Sequence, residues 1–330
     1  MACGNPYNDG RSRRAQAAWR STISQSQSSA VIRSERIRAN GLDFHVHVCG
    51  EGDRLALCLH GFPEIGYSWR HQMQLLASLG YRVWAPDLRG YGLTDRPVGL
   101  KNYAFEILME DVAGLIDASG SLEVTLIAHD WGGIIAWQFA ALRVRELENL
   151  IILNAPAPRP QDKPPSIFSR QFWRYSYVFF FQLPWLPEWV IRRKNYRAVE
   201  HIFRGSTAVA PERFSDDVIA VYQEAAARPG ALTAMINYYR ALLRGGGARR
   251  LKELGFPKIE TPTLILWGEG DPILPAEMIE DAGTWISDVT IRLIPNAGHW
   301  VQQEAPEVVN SALQEWLAGD VGSPTDRPTG

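Results

Sequence analysis

Three stretches of this 330-residue chain place reactive side chains where apolar, strand-like runs end. In the first, Val124–Ala128 is apolar and β-branched, Ala128-His129-Asp130-Trp131-Gly132-Gly133 is a tight turn, and an apolar run with helical spacing follows. A strand, a small-x-nucleophile-x-Gly turn and a helix make a nucleophile elbow, whose sharp bend lifts one side chain above the sheet. That side chain is Asp130. Unsatisfied N–H groups and the helix dipole at the helix start favour its anionic form. Aspartate also caps helices routinely, so this turn alone leaves capping and catalysis open. The other two stretches favour catalysis. His60-Gly61-Phe62-Pro63-Glu64 directly follows the strand-like Leu55–Leu59, where a backbone donor to an oxyanion is placed; Phe62 N–H and Trp131 N–H are the candidate pair. Leu266–Asp271 then puts Asp271 just beyond one strand, and Asn296–Trp300 puts His299 just beyond the next. Nucleophile, acid and histidine thus follow in an order that assigns His299 as a base oriented by Asp271.

An aspartate at the elbow narrows the reaction. A serine attacking a saturated carbon would form an ether that water cannot cleave. A carboxylate forms an alkyl ester instead, and water activated by His299 can attack that ester's carbonyl. Ester, lipid and peptide hydrolysis are thereby disfavoured. A halide leaves without a proton, whereas an epoxide oxygen leaves as a basic alkoxide and needs an acid nearby; tyrosine is a suitable donor.

The elements around these turns alternate. Phe44–Cys49, Leu55–Leu59, Arg82–Ala85, Val124–Ala128, Leu150–Leu153, Thr263–Trp267 and Thr290–Ile294 read as strands. Ser68–Leu79, Phe105–Ala118, Ile134–Leu142 and Pro306–Leu317 have helical spacing. The rhythm predicts an α/β architecture, a mostly parallel sheet flanked by helices, over 31–155 and 248–318. Between these lies 156–247, without strand-like runs and dense in Trp, Tyr, Phe and Arg, which reads as an inserted helical cap. Residues 1–30, polar and arginine-bearing, read as disordered, and 319–330 as a flexible tail.

A formal net charge of −2 gives no field to gather nucleic acid, and suits a small neutral substrate. Cys3, Cys49 and Cys58 cannot all pair, and imply no disulfide framework. The aromatic run Trp173–Ile191 is interrupted by Arg174, Gln182, Glu188 and two prolines, so it reads as a buried or pocket-lining helix and a turn rather than a membrane span. A cytoplasmic protein is expected, with water as co-substrate and neither metal nor other cofactor. His45 and His47 alternate on one strand face with no acidic partner evident, and His60 and His129 are expected to pack and hydrogen-bond within the elbow and oxyanion loop. Asp87–Gly92 reads as a structural turn.

His60–Glu64, His129–Gly133 and Gly298-His299-Trp300 together resemble the epoxide hydrolases of the α/β-hydrolase fold, over about Ile32–Leu317. The resemblance implies conversion of epoxides to vicinal diols, and a cap that supplies two tyrosines to grip the epoxide oxygen. Tyr177, in Tyr177–Gln182, and Tyr239, in Asn237–Arg240, take those places, with Tyr175 and Tyr238 as close rivals. Phe62, Trp131, Phe181 and Trp300 are then assigned to the substrate pocket. The aromatic cap, including Trp173, Phe179, Phe180, Phe181, Trp185 and Trp189, implies a roomy apolar pocket. One departure is Ala128, where glycine is common. Haloalkane dehalogenases share the aspartate, the histidine and Trp131, but usually carry a polar halide-binding side chain where this chain has Phe62; haloacetate dehalogenases follow a pattern with arginine in place of Trp131. A catalytically silent hydrolase fold serving as a ligand receptor is the alternative of another class, and the intact Asp130, His299 and Asp271 set weighs against it. Activity is expected to fall on the acid side as His299 protonates.

Overall fold

The structure is a computed structural model that describes residues 30–158, 175–205 and 207–319. The readings of Cys3, of nearly all of 1–30, of Trp173 and of the tail beyond Gly319 fall outside the described residues. Eight strands form one sheet: β1 (Arg33–Ala39), β2 (Leu42–Cys49), β3 (Arg54–Leu59), β4 (Tyr81–Pro86), β5 (Val124–His129), β6 (Asn149–Leu153), β7 (Thr263–Gly268) and β8 (Val289–Ile294). Their order is β1-β2-β4-β3-β5-β6-β7-β8. β2 is antiparallel to both β1 and β4, and every other pair is parallel. The central strands are apolar without interruption because helices cover both faces, leaving β5, β6 and β7 buried throughout.

β1 escapes sequence reading. Its RSERIRA stretch is charged and mostly exposed, as suits an edge strand that must not recruit another chain.

The flanking helices are α1 (Arg70–Ser78), α2 (Phe105–Ser119), α3 (Asp130–Ala141), α9 (Val301–Glu304) and α10 (Pro306–Gly319). Between β6 and β7 lie α4 (Ser176–Phe180), α5 (Leu186–Arg204), α6 (Asp216–Ala227), α7 (Ala231–Leu243) and α8 (Gly247–Leu254), with no strand among the described residues of that stretch. α3 is apolar nearly all round and accordingly buried. It begins earlier than its apolar spacing predicts. β5 runs through His129 and α3 starts at Asp130, so the reversal is made by one residue, Asp130, at φ +48°.

That one-residue reversal requires a close approach of the helix to the sheet. A Cβ on Gly132 would lie 2.5 Å from the Leu59 carbonyl oxygen, and one on Gly61 would lie 2.3 Å from Asp130 Oδ1. Neither the Leu59 backbone nor the elbow can retreat cheaply from the middle of a packed sheet. Gly132→Ala is therefore expected to destabilise the protein by about 1–3 kcal/mol, read from chemical denaturation. A change near zero would show that the approach is dispensable.

Candidate active site

Parallel pairing brings the carboxyl ends of β3, β5, β6, β7 and β8 to one edge. Leu59 pairs with Ala128, His129 with Leu153, and Leu153 with Leu266, so the loops that follow leave the sheet side by side. Such an edge is where α/β sheets bind ligands.

The three predicted groups meet there. Asp130 Oδ1 accepts a hydrogen bond from Phe62 N–H at 2.7 Å, and Oδ2 lies 3.7 Å from His299 Nε2. His299 Nδ1 contacts Asp271 Oδ2 at 2.8 Å. Asp271 is held in turn by Ile273 N–H and Leu274 N–H on Oδ1 and by the Asn154 side-chain amide on Oδ2. Trp131 N–H sits in the first turn of α3, where helix N–H groups have no intrahelical acceptor.

The charges of these groups set one another. Burial pushes Asp130 and Asp271 upward, but in each case His299 and hydrogen-bond donors outweigh it, and both carboxyls are held below their usual range. Burial pulls His299 down; Asp271 first, then Asp130, reverse this and lift it from 6.5 to about 10. The resting site thus holds an imidazolium between two carboxylates. In the free protein the His299 imidazole is therefore charged at neutral pH.

Three further residues, which sequence reading passes over or treats as packing, build the surroundings. The buried Glu64 carboxylate accepts from Gly61 N–H, from both Gln302 and Gln303 side chains, and from His129 Nδ1. His129 Nε2 lies 2.8 Å from the His299 carbonyl oxygen. Both His129 nitrogens therefore face oxygen atoms, one on Glu64 and one on the His299 backbone. Glu304 gathers the N–H groups of Val209, Ala210, Gly298 and Trp300, tying the histidine turn to the inserted helices. Their partners lie far away in the chain, so only the fold reveals these ties.

A cavity of about 360 Å³ lies between the sheet edge and the insertion. Asp130, His299, Phe62, Trp300, Pro272 and Ile273 line it from one side, and Tyr177, Phe181, Ile202, Thr207 and Tyr239 from the other. Of the rival tyrosines, Tyr175 directs its hydroxyl to Met278 Sδ and Tyr238 to the Arg89 carbonyl, so Tyr177 and Tyr239 are the pair that reaches the cavity. Their rings lie 5.9 Å apart. Burial, with the Asp130 charge nearby, raises both hydroxyls above 10 and keeps them protonated.

Two expectations need correction. Trp131 stands behind Tyr239, ring centroids 5.0 Å apart, rather than on the cavity wall. Nor is the pocket roomy: its volume sits at the low end of the ~300–1,000 Å³ usual for small-molecule sites. Among the described aromatics of the insertion expected in the pocket, Phe181 lines it, whereas Phe179, Trp185 and Trp189 are exposed.

His45 and His47 also gain an acidic neighbour that their spacing does not show. With Asp87 they form a buried group whose ligand-capable atoms lie within 4.8 Å of one another. Asp87 already accepts from His45 Nδ1, Gly66 N–H and Leu93 N–H, which makes it the anchor of the Asp87–Gly92 turn. Burial lowers His47 to about 4, so it is neutral at pH 7. Cys49 and Cys58 are buried free thiols.

A family model for the α/β-hydrolase fold matches residues 57–306. The AB hydrolase superfamily protein YfhM of Bacillus subtilis (strain 168) is 35% identical, over 87% of this chain and 98% of that protein. Epoxide hydrolase 4 of Homo sapiens is 36% identical, over 86% of this chain and 77% of that protein. Among solved structures, the epoxide hydrolase VrEH1 from Vigna radiata superposes with a TM-score of 0.76 at 28% identity, covering 87% of this chain and 98% of that one.

The charge pattern of the site is directly measurable. Nitrogen NMR of the free protein should find His299 as an imidazolium that deprotonates near pH 10, and in Asp130→Asn at a distinctly lower pH, because one of its two anionic partners is gone. Deprotonation near 6.5 in the unmodified protein would contradict the assignment.

Proposed function

The chain belongs to the epoxide hydrolase group of the α/β-hydrolase family, and we propose that it opens small apolar epoxides to vicinal diols through a covalent ester on Asp130. The observation that carries this reading is the placement of the Asp130 carboxylate and the hydroxyl-bearing Tyr177 and Tyr239 on opposite walls of one cavity. A nucleophile below and an acid above are what ring opening at a saturated carbon needs.

The proton balance closes on these residues. Asp130 attacks a ring carbon, the carbon–oxygen bond breaks, and Tyr177 or Tyr239 protonates the departing oxygen. Asp130 is now an uncharged ester, so one of the two anions that held His299 protonated has vanished. His299 loses its proton more easily, and that proton restores the tyrosine. Neutral His299, oriented by Asp271, then takes a proton from water, whose oxygen attacks the ester carbonyl. Phe62 N–H and Trp131 N–H stabilise the resulting oxyanion. Collapse releases the diol and regenerates the Asp130 carboxylate beside an imidazolium. Losing one oxyanion donor typically costs ~10²–10³ in rate.

A single turnover with protein in excess over an aromatic epoxide, in water enriched in heavy oxygen, tests the nucleophile. The label should enter the peptide carrying Asp130, and the first diol should stay unlabelled. Label going straight into the diol would make Asp130 at most a base and sink the proposal.

The two steps should also respond differently to pH and mutation. Hydrolysis of the ester should slow on the acid side, as His299 of the alkylated protein protonates, while ring opening persists because Asp130 stays ionised. Tyr239→Phe should slow ring opening by at least about 10²-fold, read as the rate of ester formation in rapid-quench mass spectrometry. An unchanged rate would remove Tyr239 from the reaction.

A further inference from the structure

We propose that the outer face of the helical insertion docks on an anionic lipid bilayer. The stretch that supplies Tyr177 and Phe181 to the cavity presents other large side chains to water. Trp185 is 71% exposed, Trp189 50% and Leu183 43%. Soluble surfaces seldom concentrate so much apolar area in one short stretch without a partner for it. Trp185 caps the head of α5 and is joined to Trp189, one turn on, by the Trp189 N–H to Trp185 carbonyl bond.

A basic run follows directly. Arg193 places its guanidinium 4.6 Å from the Trp189 ring centroid. Arg192, Arg193, Lys194 and Arg197 are all exposed. α5 leaves helical geometry from Arg193 to Tyr196, so this run is an outward-facing bend rather than a packed helix turn. Glu188 is the sole acid between positions 176 and 197, and its buried carboxylate is already matched by Arg240 at 2.7 Å. The segment therefore shows four positive charges in a chain whose net charge is −2.

Exposed tryptophan beside arginine and lysine is the chemistry of an interfacial contact. The indoles sit at headgroup depth, and the cations meet anionic lipid. No described helix is long and apolar enough to cross a membrane, so the contact is peripheral. It would set the cavity's cap wall against a phase in which apolar substrates concentrate. That last benefit rests on the proposed reaction, whereas the binding does not.

The test is co-sedimentation of the full chain with sucrose-loaded vesicles, either phosphatidylcholine alone or an equimolar mixture with phosphatidylglycerol. The protein should pellet with the anionic vesicles at least about tenfold more strongly, and less so at high salt. Trp185→Ser/Trp189→Ser and Arg192→Ser/Arg193→Ser/Lys194→Ser should each lower partitioning at least about tenfold, with melting temperature unchanged. Absence of pelleting would overturn the proposal, as would pelleting indifferent to lipid charge or to both variants. Concentration-dependent self-association in sedimentation velocity, lost in the same variants, would assign the face to a second copy of this chain and overturn it likewise. Because vesicle binding is read without turnover, a protein that binds but fails to open epoxides would leave this inference standing and refute only the reaction.

Discussion

Three carboxylates and two imidazoles buried within one small volume are the constraint on which the rest of this structure depends. Asp130, Asp271 and Glu64 would each shift toward neutrality if left alone in an apolar interior. They stay ionised because every one is met by backbone N–H groups and by a histidine: His299 lies between Asp130 and Asp271, and His129 on Glu64. The site is thus a network of matched carboxylates rather than a lone nucleophile. Its weakest link is the 3.7 Å separation of His299 from Asp130, which is the one pairing that the proposed reaction must dissolve and remake. His299 keeps its short bond to Asp271 meanwhile, so the imidazole changes charge without losing orientation.

Holding the cluster together falls to residues far apart in the chain. Glu64 reaches Gln303 across 239 positions, and His129 reaches the His299 carbonyl across 170. Glu304 fastens the histidine turn to the insertion, and Asn154 fastens Asp271 to the end of β6 while accepting from Gly268 N–H. None of these ties could form without the parallel register that aligns the strand ends. Because both partners are buried, removing one leaves an uncompensated polar group, typically ~3–5 kcal/mol for a buried charge. The sheet creates the edge, and the buried polar ties make it rigid enough for chemistry.

What could be read in advance follows from this division. The strands of the core, Asp130, Asp271 and His299 are legible because apolar runs end abruptly at Gly-rich turns, a signal carried by neighbours in sequence. β1 is not, because an exposed edge strand is selected for charge and loses the apolar alternation that marks strands. Glu64, Asn154 and Glu304 are not, because their partners lie elsewhere in the chain. The start of α3 is hidden because Gly132 and Gly133 read as turn residues, whereas both lie inside the helix, where Gly132 lets it approach Leu59. The Asp87 neighbour of His45 and His47 shows the same limit, since 40 positions separate Asp87 from His47 and pairing of β2 with β4 brings them together.

The insertion is hardest to read, for a geometric reason. Hydropathy reports how apolar a stretch is, and periodicity reports which way each side chain faces, but only where the helix is regular. α4 is five residues long, Trp185 at the head of α5 has φ +52°, and α5 breaks again near Lys194. Along such a path the angle between successive side chains is not fixed at 100°, so an aromatic run predicts burial for all its members when only some obtain it. Here Tyr177 and Phe181 turn inward and Phe179, Trp185 and Trp189 outward. Arg240 sets that division: its guanidinium binds the Phe181 and Leu183 carbonyls and the Glu188 carboxylate, which pins the inward side of the stretch to α7 next to Tyr239. One buried cation thus fixes the two tyrosines relative to each other and leaves the remaining aromatic surface facing away from the cavity.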